Sequence, residues 1–220
     1  MERQNRTDSN EMGKKLLLIG GGGHCRSVLD SILTLKIYDA IGIIDYSDEP
    51  VNGISVVGKD EDLPHLKESG WTDAFITVGS VGNTSLRHRL YKMVKSEGFT
   101  VPSIIDPAAI IAKDAVISEG CFIGKGAIVN AGSKIGKAAI INTGAIIEHD
   151  CSVGDFAHIS PGTVLCGQVV VGNDSHIGAG SVVRQQIEIG ENALVGAGSV
   201  VVQNIPACVK AYGNPCKVVE

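Results

Sequence analysis

The segment Ile146–Gly162, IIEHDCSVGDFAHISPG, sets Glu148, His149 and Asp150 side by side and adds a second histidine, His158, one short stretch later. An imidazole titrates near neutral pH and can accept a proton from an attacking amine or hydroxyl. A neighbouring carboxylate can orient the ring and stabilise the imidazolium. His149 is therefore a candidate general base, with Glu148 and Asp150 as its candidate partners. A second cluster lies near the start of the chain. Gly20–His24, GGGGH, follows an apolar run, and Asp45 closes another. Glycines let backbone N–H groups approach a phosphate, and a helix N-terminus adds partial positive charge. Asp45 can accept hydrogen bonds from a ribose or a base.

The elements that must hold these residues differ between the two halves. Leu16–Ile19, the run AIGIID ending at Asp45 and the run DAFITVG ending at Gly79 read as strands. Val28, Leu29, Ile32 and Leu33 recur at helical spacing, as does the pattern in LRHRLYKMV. Strands alternating with helices predict a small, doubly wound sheet that binds ligands at the carboxyl ends of its strands. The loop is not the dinucleotide fingerprint. With Gly20 and Gly22 as the first glycines of GxGxxG, the third position is Cys25, and no Lys-Ser/Thr pair makes a P-loop. Neither nicotinamide chemistry nor nucleotide hydrolysis is expected.

The second half has a period of six. Taking every sixth residue from Ile111 to Val201 gives sixteen consecutive aliphatics without a slip. Two residues before each, the chain is small, as at Ala115, Cys121, Ala127 and Ala145, with Val169 and Ile187 as exceptions. Glycine is the commonest residue just after the aliphatic, as at Gly136, Gly154 and Gly172. This period predicts a parallel β-helix, with the aliphatic inside, the small residue closing the corner and a permissive residue making the turn. The stretch VPSIIDPAA reads as the hinge between the halves.

Composition agrees. The 220 residues carry 28 glycines and only 4% aromatics, which favours tight turns over a bulky core. A net charge of −5 without a basic tract argues against nucleic acid as a partner. No apolar run reaches membrane-span length, and the polar start lacks a signal-peptide core, so a cytoplasmic protein is expected. The six cysteines form no CxxC pair and read as reduced packing thiols. The expected organisation is a flexible tail at 1–13, an α/β unit at 14–101, a solenoid at 104–207 and a C-terminal tail at 208–220.

The repeat resembles the hexapeptide-repeat acyltransferases. Together with GGGGH, Asp45 and EHDCSVGDFAHISPG, it is similar to the sugar O- and N-acetyltransferases typified by bacterial UDP-4-amino-sugar N-acetyltransferases. The resemblance covers about residues 14–217. It implies a small Rossmann-like α/β domain followed by a left-handed parallel β-helix with 18 residues per triangular coil. It also implies a homotrimer with active sites between subunits, acetyl-CoA as co-substrate, no metal, and a nucleotide-linked amino sugar as acceptor in bacterial glycan or surface-polysaccharide synthesis. Residues 18 apart would stack about 4.8 Å apart. Gly167 then lies one coil beyond His149 and leaves room for a thioester arm, with nearby backbone N–H groups as oxyanion donors. The resemblance assigns His149 and Asp150 to catalysis, and His158, Gly167, Ala179 and Ala197 to the cofactor's path. Gly22, Gly23, His24, Asp45 and Gly82 are assigned to the sugar nucleotide, with Gly79 as a competing alignment for Gly82. His176 should stack on His158, with no role assigned.

Three other readings compete with this one. O-acetylation of a sialic acid or similar sugar would also employ His149. A zinc lyase of the γ-carbonic anhydrase type would need His149, His158 and His176 as ligands, but the HxxxxH pair typical of those enzymes is absent. A non-catalytic trimeric scaffold would need none of them.

Overall fold

The structure is a computed structural model that describes residues 13–219. Apart from Gly13, the expected N-terminal tail lies outside the described residues. The chain begins with a four-stranded parallel sheet. Its strands are β1 (Lys15–Ile19), β2 (Ala40–Ile44), β3 (Val56–Gly58) and β4 (Asp73–Ile76), in the order β3-β2-β1-β4. Central β1 is apolar and buried from Leu16 to Ile19 because helices cover both its faces. Leu16 and Leu18 pack against Val28, Leu29 and Ile32 of α1 (Gly23–Leu35). Leu17 and Ile19 pack on the other side against Leu63 of α2 (Leu63–Glu68) and Leu90 and Val94 of α3 (Ser85–Ser96). The sequence pattern had not resolved β3 or α2, which are only three and six residues long.

From Ile104 onward, two-residue strands recur every six residues as far as Val200–Val201. They form three parallel ladders, the faces of a left-handed triangular solenoid. The first face carries the strands at 104, 122, 140, 158, 176 and 194. The second carries 110, 128, 146, 164, 182 and 200, and the third carries 116, 134, 152, 170 and 188. Partners in register are 18 apart, as in Ile140↔His158 and Ile146↔Val164. The sixteen periodic aliphatics form one continuous core, closed by the small residues before them. All six cysteines are free thiols, and Cys121 and Cys151 fill small inward positions. No helix among the described residues is long and apolar enough to cross a membrane.

Two expectations are corrected. The glycines just after the aliphatics do not make the turns. The left-handed residue lies three positions from each aliphatic. It is Gly at 120, 126, 132, 144, 162, 180 and 198, but Ala138, Asp150, Phe156, Gln168, Asp174, Gln186 and Asn192 elsewhere. The other glycines serve the stacking of coils. A Cβ on Gly136, Gly154, Gly172 or Gly190 would sit 2.4–2.6 Å from a backbone nitrogen of the next coil. All four lie at the corner after the third face. The corner after the second face instead carries Asn130, Glu148, Cys166 and Arg184 at the equivalent positions. The second correction concerns 208–220. Lys210–Gly213 extends the first face in parallel with Leu194–Val195, and Cys216–Val218 folds back on it antiparallel.

Gly172→Ala should therefore lower the urea midpoint markedly, by about 1–3 kcal/mol of overpacking. Gly162→Ala, at φ +67 but facing open space, should lose only the roughly 1 kcal/mol of a non-glycine left-handed residue. Equal losses would show that backbone conformation, not coil stacking, sets the glycine requirement.

Candidate active site

His149 and Asp150 sit at the corner between the second and third faces. Asp150 is the left-handed turn residue, at φ 58, a conformation Asp tolerates better than most residues. This turns its carboxylate back onto the ring, and His149 Nδ1 lies 2.9 Å from Asp150 Oδ2. Both side chains remain more than half exposed. Glu148 is held elsewhere. Asn130, 18 residues earlier, donates to Glu148 Oε2 at 3.1 Å. Asp150, not Glu148, is thus the ring's partner. Glycines frame the pair from both sides. A Cβ on Gly132 would lie 2.5 Å from Asp150 Oδ1, and one on Gly167 would lie 2.5 Å from His149 Nε2. Gly167 therefore keeps the space beside the free ring nitrogen open. Its neighbours Cys166 and Gln168 donate to the carbonyls of Val183 and His149, while the Gly167 N–H makes no backbone hydrogen bond among the described residues.

The N-terminal unit packs on the first face and on both corners that border it. Ser31 donates to buried Asp106 at 2.6 Å, and Phe122 and Ile140 of the first face join the α1 core. Lys125 pairs with Asp30 at one corner. At the other, Arg87 is 3% exposed and donates to the carbonyls of Phe156, at 2.9 Å, and Ala138, two left-handed turn residues one coil apart. Burial pulls the Arg87 guanidinium down to about 10, still charged at neutral pH. His88 stacks on Phe156 at 3.7 Å and meets Asp174 at 2.6 Å.

A cleft of about 460 Å³ opens between the two units, bordered by Gly23, His24, Gly79, Ser80, Asn142 and His158. Gly22 caps α1 without a side chain, and a Cβ at Gly22 or Gly23 would meet nothing within 4 Å. The helix N-terminus is thereby open to a ligand. Asp45 organises the same loop: Oδ2 accepts from Gly21 N at 2.5 Å and Oδ1 from Ser47 N at 2.8 Å. Gly79 lines the cleft, whereas Gly82 lies against Leu194 of the first face.

His158 points outward from the solenoid, as its register requires, but the same chain covers it. Its Nδ1 lies 2.9 Å from Ser80 O and so donates, which leaves Nε2 to accept from Asn142 at 3.2 Å. Burial, ahead of the nearby charges of His176, His24 and Arg87, pushes His158 down to about 3. His24 is pushed down to about 4, by burial first and Arg87 second. His176 stacks edge-on to His158 at 4.9 Å and is also lowered by burial. Ala179 and Ala197 are exposed on the corner after the first face, in line with Thr143 and Pro161 beside the cleft. The four expected cofactor residues thus fall in three places: Gly167 beside His149, His158 on the first face, and the two alanines at another corner. Among the described residues no group of three His, Cys, Asp or Glu is placed to hold a metal ion.

Sequence reading missed Asn130, Asn142, Ser80 and Arg87. The first two were within reach, since the 18-residue stack already sets Asn130 beneath Glu148 and Asn142 one coil below Ser160.

Comparison with known proteins identifies the family. The PglD N-terminal domain family matches residues 15–94, and the bacterial transferase hexapeptide family matches residues 168–203. A histidine-to-asparagine variant of perosamine N-acetyltransferase from Caulobacter crescentus, solved with CoA and GDP-perosamine, is 36% identical with a TM-score of 0.90. The match covers 95% of this chain and 98% of that one. The acetyltransferase domain of PglB from Neisseria gonorrhoeae, in complex with acetyl coenzyme A, is 35% identical with a TM-score of 0.89, over 94% and 100% of the two chains. WeeI from Acinetobacter baumannii shares the fold at 23% identity, with a TM-score of 0.82 over 94% and 100%. A comparison with curated proteins gave no match. The chain belongs to the hexapeptide-repeat sugar acetyltransferases that carry a PglD-type N-terminal unit.

The three depressed histidines, His24, His158 and His176, set a pH dependence. A histidine whose folded pKa is lowered contributes stability that is complete above its unfolded value, near 6.5, and is lost as pH falls through the folded value. Stability should therefore fall from pH 6.5 toward pH 4. His158→Asn should flatten that fall by up to one proton's worth, about 1.4 kcal/mol per pH unit. Urea midpoints at pH 7 and pH 5 that drop equally in parent and variant would refute the assignment.

Proposed function

We propose that the protein is a cytoplasmic, acetyl-CoA-dependent N-acetyltransferase acting on an amino sugar carried by a nucleotide, in bacterial glycan or surface-polysaccharide synthesis. The observation that carries this reading is the exposed His149–Asp150 pair with Gly167 open beside Nε2, in a chain matching N-acetyltransferases over nearly their whole length. In the proposed reaction the sugar amine attacks the thioester carbonyl. His149 Nε2 takes the amine proton as the C–N bond forms, and Asp150 steadies the imidazolium. The Gly167 N–H is the candidate donor to the oxyanion. The C–S bond then breaks, and the proton passes to the departing CoA thiolate. The nucleotide would lie along the open N-terminus of α1 and Asp45, with the sugar in the cleft bordered by His24.

Within one copy, the corner bearing His149 is opposite the face that the N-terminal unit covers. A complete site accordingly needs a second copy. The second face supplies a surface for it: Ile110, Ile128, Ile146, Val164, Val182 and Val200 all point outward, and Ile110 is 63% exposed. The third face is mixed at the same register, with Lys134, Ser152 and Glu188 alternating with exposed Val116 and Val170. We assign the apolar ladder to the contacts of a homotrimer, with Gly167 of one copy and Ala179 and Ala197 of the next flanking one acetyl-CoA.

His149→Ala should reduce kcat by about 10²- to 10⁴-fold with acetyl-CoA binding retained; unchanged turnover with a nucleotide-linked amino sugar would remove the base. Ile146→Arg should yield a folded monomer by light scattering, with acetyl transfer lost. A monomer of full activity would refute the shared site.

A further inference from the structure

A second pocket opens on the α3 side of the sheet, at the same strand ends as the glycine loop. It encloses about 170 Å³ and includes Gly20 and Asp45 in its lining. Ile44, Val78, Leu86 and Leu90 form its aliphatic wall, and the Tyr46 ring lies at its edge. Its rim carries Asp60, which follows β3, and Arg89 on the exposed side of α3. Asp45 has each carboxylate oxygen already engaged by a backbone amide. Asp60 and Arg89 are different. They influence one another electrostatically, yet neither forms a salt bridge, with the other or with any other described residue. The slot therefore presents an apolar wall, a carboxylate and a guanidinium, neither of the charged groups in a salt bridge among the described residues.

A planar heterocycle fits that wall, and its edge must offer N–H donors to the carboxylate and acceptors to the guanidinium. Guanine has that pattern. N1–H and the N2 amine are adjacent donors, and O6 and N7 are acceptors of the kind arginine engages. Uracil and thymine offer a single ring N–H between two carbonyls, so a carboxylate facing that edge meets carbonyl oxygens as well. We infer that this slot holds the base of the nucleotide-linked substrate and selects guanine, with Asp60 accepting from N1–H and the N2 amine and Arg89 donating to O6. The inference rests on the proposed reading of the N-terminal unit as the nucleotide-sugar site, and it makes Asp60 and Arg89 specificity-determining residues.

Calorimetric titration of the full chain with GDP, IDP, UDP and dTDP tests it. GDP should bind at least about ten-fold more tightly than UDP or dTDP, because a site built to hydrogen-bond a group rejects analogues lacking it. GDP should also exceed IDP, which lacks the N2 amine. Asp60→Asn should lower GDP affinity about ten-fold or more and remove the preference over IDP while leaving UDP affinity unchanged. Arg89→Met should weaken GDP and IDP together, with the thermal midpoint of each variant confirming its fold. UDP or dTDP binding as tightly as GDP, or an equal loss for all four ligands in Asp60→Asn, overturns the inference and leaves the acetyltransferase reading standing. Failure of every nucleoside diphosphate to bind overturns both.

Discussion

The distance between stacked coils, about 4.8 Å, governs the solenoid and through it the site. At that separation a residue is judged by what lies 18 positions away. Inward positions must be aliphatic because they face only other aliphatics. The corner after the third face brings backbone so close to backbone that four successive coils use glycine there. The corner after the second face carries Asn130, Glu148, Cys166 and Arg184 instead. His149 and Asp150 project from this corner without disturbing the core. Gly132 and Gly167 then clear space for them one coil to either side.

This repetition explains what was legible beforehand. Sixteen aliphatics in register repeat one constraint so often that the solenoid and the outward placement of His149 followed from counting. The turn position was not legible. Ala138, Phe156, Gln168 and Gln186 all adopt left-handed conformations where composition gives no hint, because the coil geometry imposes them. Glycines drew attention as turn formers when their role is steric. In the N-terminal unit, the loop and Asp45 were visible as a candidate ligand site, but their mutual hydrogen bond was not, since it joins strand ends 24 residues apart.

The docking of the two units was the least legible part. Arg87 and His88 look like ordinary polar residues on a helix, and their partners Phe156, Ala138 and Asp174 lie 51 to 86 residues away. Arg87 matters because a buried guanidinium demands acceptors. The carbonyls of two consecutive corners provide them, which fixes α3 against the solenoid. The same docking brings the 79–84 loop over His158 and defines one wall of the cleft. His158, whose sequence position suggested a route for the cofactor, is tied to that loop by Ser80 and to the neighbouring corner by Asn142.

The hairpin at the C-terminus bears on assembly in a different way. A stack of parallel coils is an open template, and its last strand can recruit another chain edge to edge. Here the outermost strand of the first face, Cys216–Val218, runs antiparallel to all the solenoid strands before it. Pro215 precedes it and exposed Lys217 sits within it. A second molecule offering a hexad coil in register meets a strand of the wrong polarity. On the first face the hairpin ends the run of parallel strands, while the second and third faces end at Val200–Val201 and Glu188–Ile189 without it.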